Sequence, residues 1–296
     1  MKRTLLLLLG ACALLGSAQQ VTVTSTTPLL KGVEAAFYPN LNAGGDLLLY
    51  SDADAHGLKM LDLSTQAVTT ISDKNGAGFD AKWGGDNNVY FVTSEVNPSN
   101  HLVFRTGMRY DMARKASDVV LEAQHGAVHL ENGTKGVAFN GEKRHFSTSS
   151  NRGISVYTTG SEVVLNINGT EHRYSPVESY AGYLWSSVSP KADKVAFFAA
   201  GRGIVVIDLN GKVLAELGNY EMPCWYNNDY IVAQNATDDG YQYTSSQILL
   251  LKADGTFRHD LTPRTSMTMQ PTCGGGKIAY TTIDGRLTMI TIDINE

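Results

Sequence analysis

Much of what would point to a specific chemistry is scarce in this sequence. Three cysteines in 296 residues exclude a disulfide scaffold. Charged residues make up only 18% and the net charge is −5, so the basic footprint of a nucleic-acid binder is missing. The longest apolar run, Leu5 to Leu15, falls short of the roughly 20 residues a membrane-crossing helix needs. No long stretch combines helical periodicity with caps; Leu214 to Leu217 and Met108 to Lys115 are only weak helical candidates. Prolines number just 8, while glycine reaches 29, as expected for many short strands joined by turns. A hydrophobic content of 43% suits a folded chain long enough for one large domain or two small ones.

The first residues read as a targeting segment. Lys2 and Arg3 form a positive start, the apolar run follows, and Gly16-Ser17-Ala18 is a small-residue cleavage site. The expectation is a signal peptide over residues 1–18 and a single domain over 19–296, in an exported bacterial protein, periplasmic or secreted. Loss of Lys2 and Arg3 takes the charge from −5 to −7. A second reading treats Leu9-Gly10-Ala11-Cys12 as a lipobox that would anchor the chain through Cys12, at the cost of an unusually short signal. Export would leave Cys224 and Cys273, either as buried thiols or as a disulfide.

The remaining sequence repeats. Met222 to Thr262 holds one complete unit: Pro223-Cys224-Trp225, a polar turn at Asn227-Asn228-Asp229, the apolar strand Tyr230 to Ala233, a polar loop, the strand Ile248 to Leu251, an Asp254-Gly255 turn, and a last strand ending at Leu261-Thr262. Aligning the copies on Pro39, Ala81, Ala127, Ser186, Pro223 and Pro271 gives spacings of 42, 46, 59, 37 and 48, close to the four-strand period of a propeller blade. The third copy is degenerate. Ala127 to Leu130 and Gly136 to Phe139 fit its first half, Val163 to Gly169 its second, and residues 141–160 read as an insertion. Asn168-Gly169, Asn210-Gly211 and Asp254-Gly255 supply the positive φ of a tight hairpin turn, one blade apart. The last copy provides three strands, and the alternating strand Val21 to Thr26 has no blade of its own. It is expected to pair onto the last blade as its outer strand, which leaves only short, protected sheet edges. The predicted fold is all-β, a six-bladed β-propeller of four-stranded blades closed by the N-terminal strand.

Pro223-x-Trp225, Ser189-Pro190-x-x-Asp193-Lys194-Val195-Ala196-Phe197 and Ile248-Leu249-Leu250-Leu251-x-x-Asp254-Gly255 resemble the repeat of TolB-like propellers, the PD40 type of WD40-like blade. The likeness is good in copies four to six, fair in one and two, and poor in three. Several tryptophan positions are replaced, by Leu41, Val188 and Cys273. The resemblance implies a protein-binding propeller of the bacterial envelope and fixes no ligand. Similar blades also precede serine peptidase domains, but no Gly-x-Ser-x-Gly elbow occurs and the propeller uses up the chain.

Few residues stand out as chemistry-bearing. His125 and His129 share a spacing that a metal could use, with Glu131 as the nearest carboxylate, but they flank a strand and read as ordinary polar residues. Ser51 to Gly57 has the acidic alternation of a calcium loop without its later glutamate. Gly274-Gly275-Gly276 sits at the repeat's usual turn. The stronger candidates are arginine and aromatic residues near irregular loops, the types that interfaces favour: Arg105, Arg109, Tyr180, Tyr183, Trp185, Tyr241 and Tyr243. Trp83 and Trp225 are assigned to packing between blades. No catalytic residue, metal or cofactor is expected. The function expected is a protein- or peptide-binding scaffold whose partner is another envelope protein or peptide, with the chain itself a monomer. The alternatives are a propeller lyase or hydrolase with a polar, metal-binding channel, and a carbohydrate-binding module.

Overall fold

A computed structural model describes residues 20–30, 32, 35–126, 128–133, 137–140, 145–146, 153–160, 162–179 and 181–295. The leader (1–18), Cys12 and Tyr180 lie outside them. The chain forms six antiparallel sheets in a ring, almost entirely strand. Blade 1 holds β2 (Phe37–Leu41), β3 (Leu47–Ser51), β4 (Leu58–Asp62) and β5 (Val68–Ser72), from the innermost strand outwards. Blade 2 holds β6 (Lys82–Trp83), β7 (Val89–Val96), β8 (Val103–Asp111) and β9 (Ala116–His125). Blade 4 runs from β16 (Tyr183–Val188) through β17 (Lys194–Ala199) and β18 (Gly203–Asp208) to β19 (Val213–Gly218). Blade 5 runs from β20 (Glu221–Trp225) through β21 (Tyr230–Asp238) and β22 (Tyr243–Lys252) to β23 (Arg258–Asp260).

Blade 6 closes the ring as expected. Its β24 (Thr268–Gly274), β25 (Lys277–Thr282) and β26 (Thr288–Asn295) are completed by β1 (Gln20–Pro28), which pairs antiparallel with β26 from Gln20↔Asn295 to Pro28↔Thr288.

The third blade has the expected four strands, and its sheet carries two more beyond the innermost of them. The six run in the order β12-β11-β10-β13-β14-β15. The innermost blade strand is β10 (His129–Gly133), and its outward neighbour is β13 (Ile154–Thr159), which falls within the expected insertion of residues 141–160. Two further strands follow, β14 (Glu162–Ile167) and β15 (Thr170–Tyr174). β11 (Val137–Asn140), expected to be the second blade strand, lies instead on the other side of β10 and carries the short β12 (His145–Phe146).

The core lies between blades, because each sheet has apolar residues on both faces. Along β22, Ile248 and Leu250 face blade 6, against Ile278 and Ile290, while Leu249 and Leu251 face blade 4, against Ile204. All seven are no more than 2% exposed. This two-sided burial explains why the third strand of a blade reads as a continuous apolar run. A specific hydrogen bond repeats at these seams. Trp83 Nε1 donates to the Asn40 carbonyl at 3.0 Å and Trp225 Nε1 to the Ser187 carbonyl at 3.3 Å. In blade 6 the equivalent position is Cys273, whose Sγ donates to the Cys224 carbonyl at 3.7 Å. Both cysteines are free thiols rather than a disulfide, and burial followed by the neighbouring Cys224 pushes the Cys273 thiol well up.

Candidate functional site

The ring has two unlike ends. At the turn end, innermost strands pass to second strands and third strands to outer ones. Outside blade 3, the connections there are two to five residues long. Polar side chains lock them. Asn42 Nδ2 donates to Asp46 Oδ1 at 2.7 Å, and Asp62 Oδ1 accepts from the Ser64 hydroxyl at 2.6 Å and from the Ser64 and Thr65 amides. Those bonds, the Ser64 hydroxyl foremost, lower Asp62 to about 2. At the loop end, second strands pass to third strands and each outer strand to the next blade. Connections there reach nine residues.

Exposed large hydrophobic side chains concentrate at the loop end. Of the eleven among the described residues, eight lie there. Phe79 sits in the loop from blade 1 to blade 2, Val96 and Leu102 flank a loop of blade 2, and Leu184 and Trp185 start β16. Tyr241 and Tyr243 border the loop between β21 and β22, and Ile283 follows β25. The other three, Val68, Val119 and Leu214, belong to outer strands. These eight residues belong to different blades and share one end of the ring.

A backbone feature recurs at the same end. The residue just before each aligned anchor of the repeat has positive φ: Tyr38, Asp80, Gly126, Trp185, Met222 and Gln270. In four blades this residue sits in a bulge, where the innermost strand slips against its neighbour. A non-glycine residue held this way costs on the order of 1 to 3 kcal/mol and turns its side chain out of the strand's alternation. Side-chain amides tie the bulges together across blades. Tyr38 N–H donates to Gln270 Oε1 at 2.8 Å, and Gln270 N–H to Gln234 Oε1 at 2.9 Å.

The candidate residues divide between the two ends. Trp185 occupies one of the left-handed positions, 40% exposed, with its ring 5.2 Å from that of Phe198. Tyr241 is 99% exposed at a loop tip. Tyr243 starts β22 beside Glu221 and Asp238; burial, then these two carboxylates, raises its hydroxyl. Burial and Asp238 likewise raise Glu221. Arg105 lies at the loop end, where its guanidinium donates to the Gly126 carbonyl at 2.7 Å. Arg109 is four residues along β8, about 13 Å away, and pairs at 2.9 Å with Asp118 near the turn end. Tyr183 is 3% exposed, its ring tilted against that of Phe197 with centroids 4.9 Å apart, and forms one wall of an open depression with Ser175, Glu178 and Arg202. Among the described residues no group of three His, Cys, Asp or Glu is placed to hold a metal, and the ring of His125 packs edge-on against Phe104.

A cavity of about 390 Å³ lies beside blade 2, bounded by Tyr38, Asp54, Phe79, Asp80, Arg105 and Leu130, of which only Arg105 stands out from sequence. The ring of Tyr38 meets that of Phe79 edge-on at 6.1 Å, and the Tyr38 hydroxyl donates to the Ala53 carbonyl at 3.2 Å. The Asp80 carboxylate takes Lys82 Nζ at 2.6 Å.

No protein-family model matches the sequence, and no curated protein matches it. Solved structures do. TolB from Acinetobacter baumannii is 16% identical with a TM-score of 0.53, over 78% of this chain and 55% of that one, so the match spans little more than half the length of that protein. A TolB-type chain from Agrobacterium tumefaciens is 12% identical with a TM-score of 0.53, over 90% and 93%. The β-propeller domain of Myceliophteria thermophila Cps50 (Swd1) is 9% identical with a TM-score of 0.61, over 92% and 99%. The chain therefore has a TolB-like propeller fold. No described helix is long and apolar enough to cross a membrane.

Proposed function

We propose that this chain is an exported propeller that docks a protein or peptide partner of the cell envelope on its loop end. The reading is carried by one observation: eight of the eleven exposed large hydrophobic side chains share that end, while the turn end is closed by short, self-satisfied turns. Tyr and Trp give an interface large area from few rotatable bonds. The leader over 1–18 supports export, and the TolB-like fold is consistent with a scaffold rather than a catalyst. The functional unit is the monomer.

A photo-reactive residue in place of Tyr241 or Trp185 should give covalent adducts with one defined partner in intact envelopes. The same residue in place of Thr256, at the turn end, should give none. Adducts from Thr256 alone, or equal adducts from all three positions, would sink the assignment of the face. The exposed aromatic residues at one end also favour a second reading, a carbohydrate-binding surface. A glycan-array signal that Tyr241→Ala abolishes would establish it over protein docking.

A further inference from the structure

The cavity beside blade 2 exists because a piece of strand is missing. Innermost strands of the other blades have five to seven residues, whereas β6 has two. In blade 1, Phe37 pairs with Ser51 beyond the bulge. The corresponding residues of blade 2 are Phe79 and Val92, and they do not pair. Phe79 is instead drawn into a turn, its N–H on the Gly76 carbonyl at 3.0 Å, and its ring stands 63% exposed.

The inner edge of β7 is consequently incomplete. Tyr90 pairs with Lys82 on that edge, and Ser94 N–H donates to the Asn75 carbonyl at 2.8 Å. Val92 lies between them. With a strand period of two, its N–H and C=O point to the same edge, and they have no backbone partner among the described residues. Val92 lines the cavity. An unpaired donor and acceptor, two residues from Tyr90 and two from Ser94, match the complementary pair that one residue of an extended peptide offers.

The lining specifies what that residue carries. Tyr38 and Phe79 offer aromatic surface, and Leu130 and Val128 offer aliphatic surface. Two carboxylates, Asp54 and Asp80, stand against one guanidinium, Arg105, which is already held by the Gly126 carbonyl. Asp80 is engaged by Lys82, while the Asp54 side chain has no hydrogen-bond or ion-pair partner among the described residues. A long apolar stem with a cationic head fits this arrangement, since such side chains lie along apolar surface and keep their charge at the polar rim. A volume of about 390 Å³ is within the range of ligand sites.

We propose that this cavity takes one lysine or arginine residue of an extended partner segment, its backbone completing the rung at Val92 and its side chain crossing Tyr38 and Phe79 towards Asp54. The proposal rests on the docking reading above and names the chemistry of the segment docked.

Fluorescent, end-capped heptapeptides of sequence Thr-Val-Thr-Xaa-Thr-Val-Thr, with Xaa lysine, glutamine or glutamate, test it by anisotropy against the full chain. The lysine peptide should bind about five-fold or more tighter than the glutamate peptide. Asp54→Asn should remove that preference. Phe79→Ala should weaken the lysine peptide while thermal unfolding stays unchanged, both side chains being exposed. Absence of binding by all three peptides up to about 1 mM, or a lysine preference that survives in both variants, overturns the proposal. If adducts still form at Tyr241 while the peptides fail, the docking face stands and only the role of the cavity falls. If both fail, the docking reading falls with it.

Discussion

The turn end and the loop end are built from opposite ends of the same strands, yet one carboxylate at the loop end is left in a state that none described at the turn end shares. At the turn end a carboxylate finishes a turn and is consumed by it: Asp62 on Ser64 and Thr65, Asp111 on the Arg114 amide and side chain, which lower it. At the loop end, Glu221 is pushed up by burial and by Asp238, and no ion pair offsets it among the described residues. Asp239 and Asp284, at the same end, are nonetheless lowered, by loop amides and by Arg286. The contrast is therefore one of specific sites, and it teaches that a carboxylate left unfinished by local structure is where a partner's charge has most to gain.

Four measurements sharpen or break this contrast. The largest effect belongs to neither end. Leu250→Ala empties a fully buried position between blades 5 and 6 and should cost about 2 to 5 kcal/mol in denaturant unfolding. A smaller change would show that the blades relax independently. Trp225→Phe deletes one inter-blade bond and should cost about 1 kcal/mol.

Next comes pH. The folded pKa of Asp62 is depressed, so its contribution is complete above the unfolded value near 4 and disappears as pH falls towards about 2. Glu221 has the opposite sign: its folded pKa is raised, so folding is penalised as pH climbs from the unfolded value through the folded one. Glu221→Gln should flatten stability over that upper window, and Asp62→Asn should flatten it below. Identical pH profiles for the two variants would erase the contrast. The smallest stability effect should come from Tyr241→Ala, within about 0.5 kcal/mol, although this variant should lose partner adducts.

The fold was legible because its signals are local. Hairpin turns such as Asn210-Gly211 and apolar third strands such as Ile248 to Leu251 repeat at one period. Blade 3 misled because Val137 to Phe139 has the apolar character of a second strand, while the residues that take that place, Ile154 to Thr159, lie beyond the insertion. Trp185, Tyr241 and Tyr243 could be picked out as exposed aromatics near loops, since residue type alone suffices there. Arg109 could not be separated from Arg105, because its partner Asp118 is set by the β8–β9 register. The left-handed positions at Tyr38 and Asp80 carry no glycine or asparagine signature. Tyr38 sits in a bulge tied to blade 6 through Gln270, whereas Asp80 lies just outside the short β6, and so the cavity they border leaves no trace in the pattern.

The closure of the ring has a mechanical corollary. Gln20 and Asn295 face each other at one extremity of the β1–β26 ladder. Tension applied between these two residues loads the rungs in succession and peels β1 away from one end, the low-force geometry of a zip. A force gripping the molecule at Thr256 and Trp185 would instead be spread over whole blades. A tether on residues 20 and 295 would thus open blade 6 long before it disturbed the opposite side of the ring.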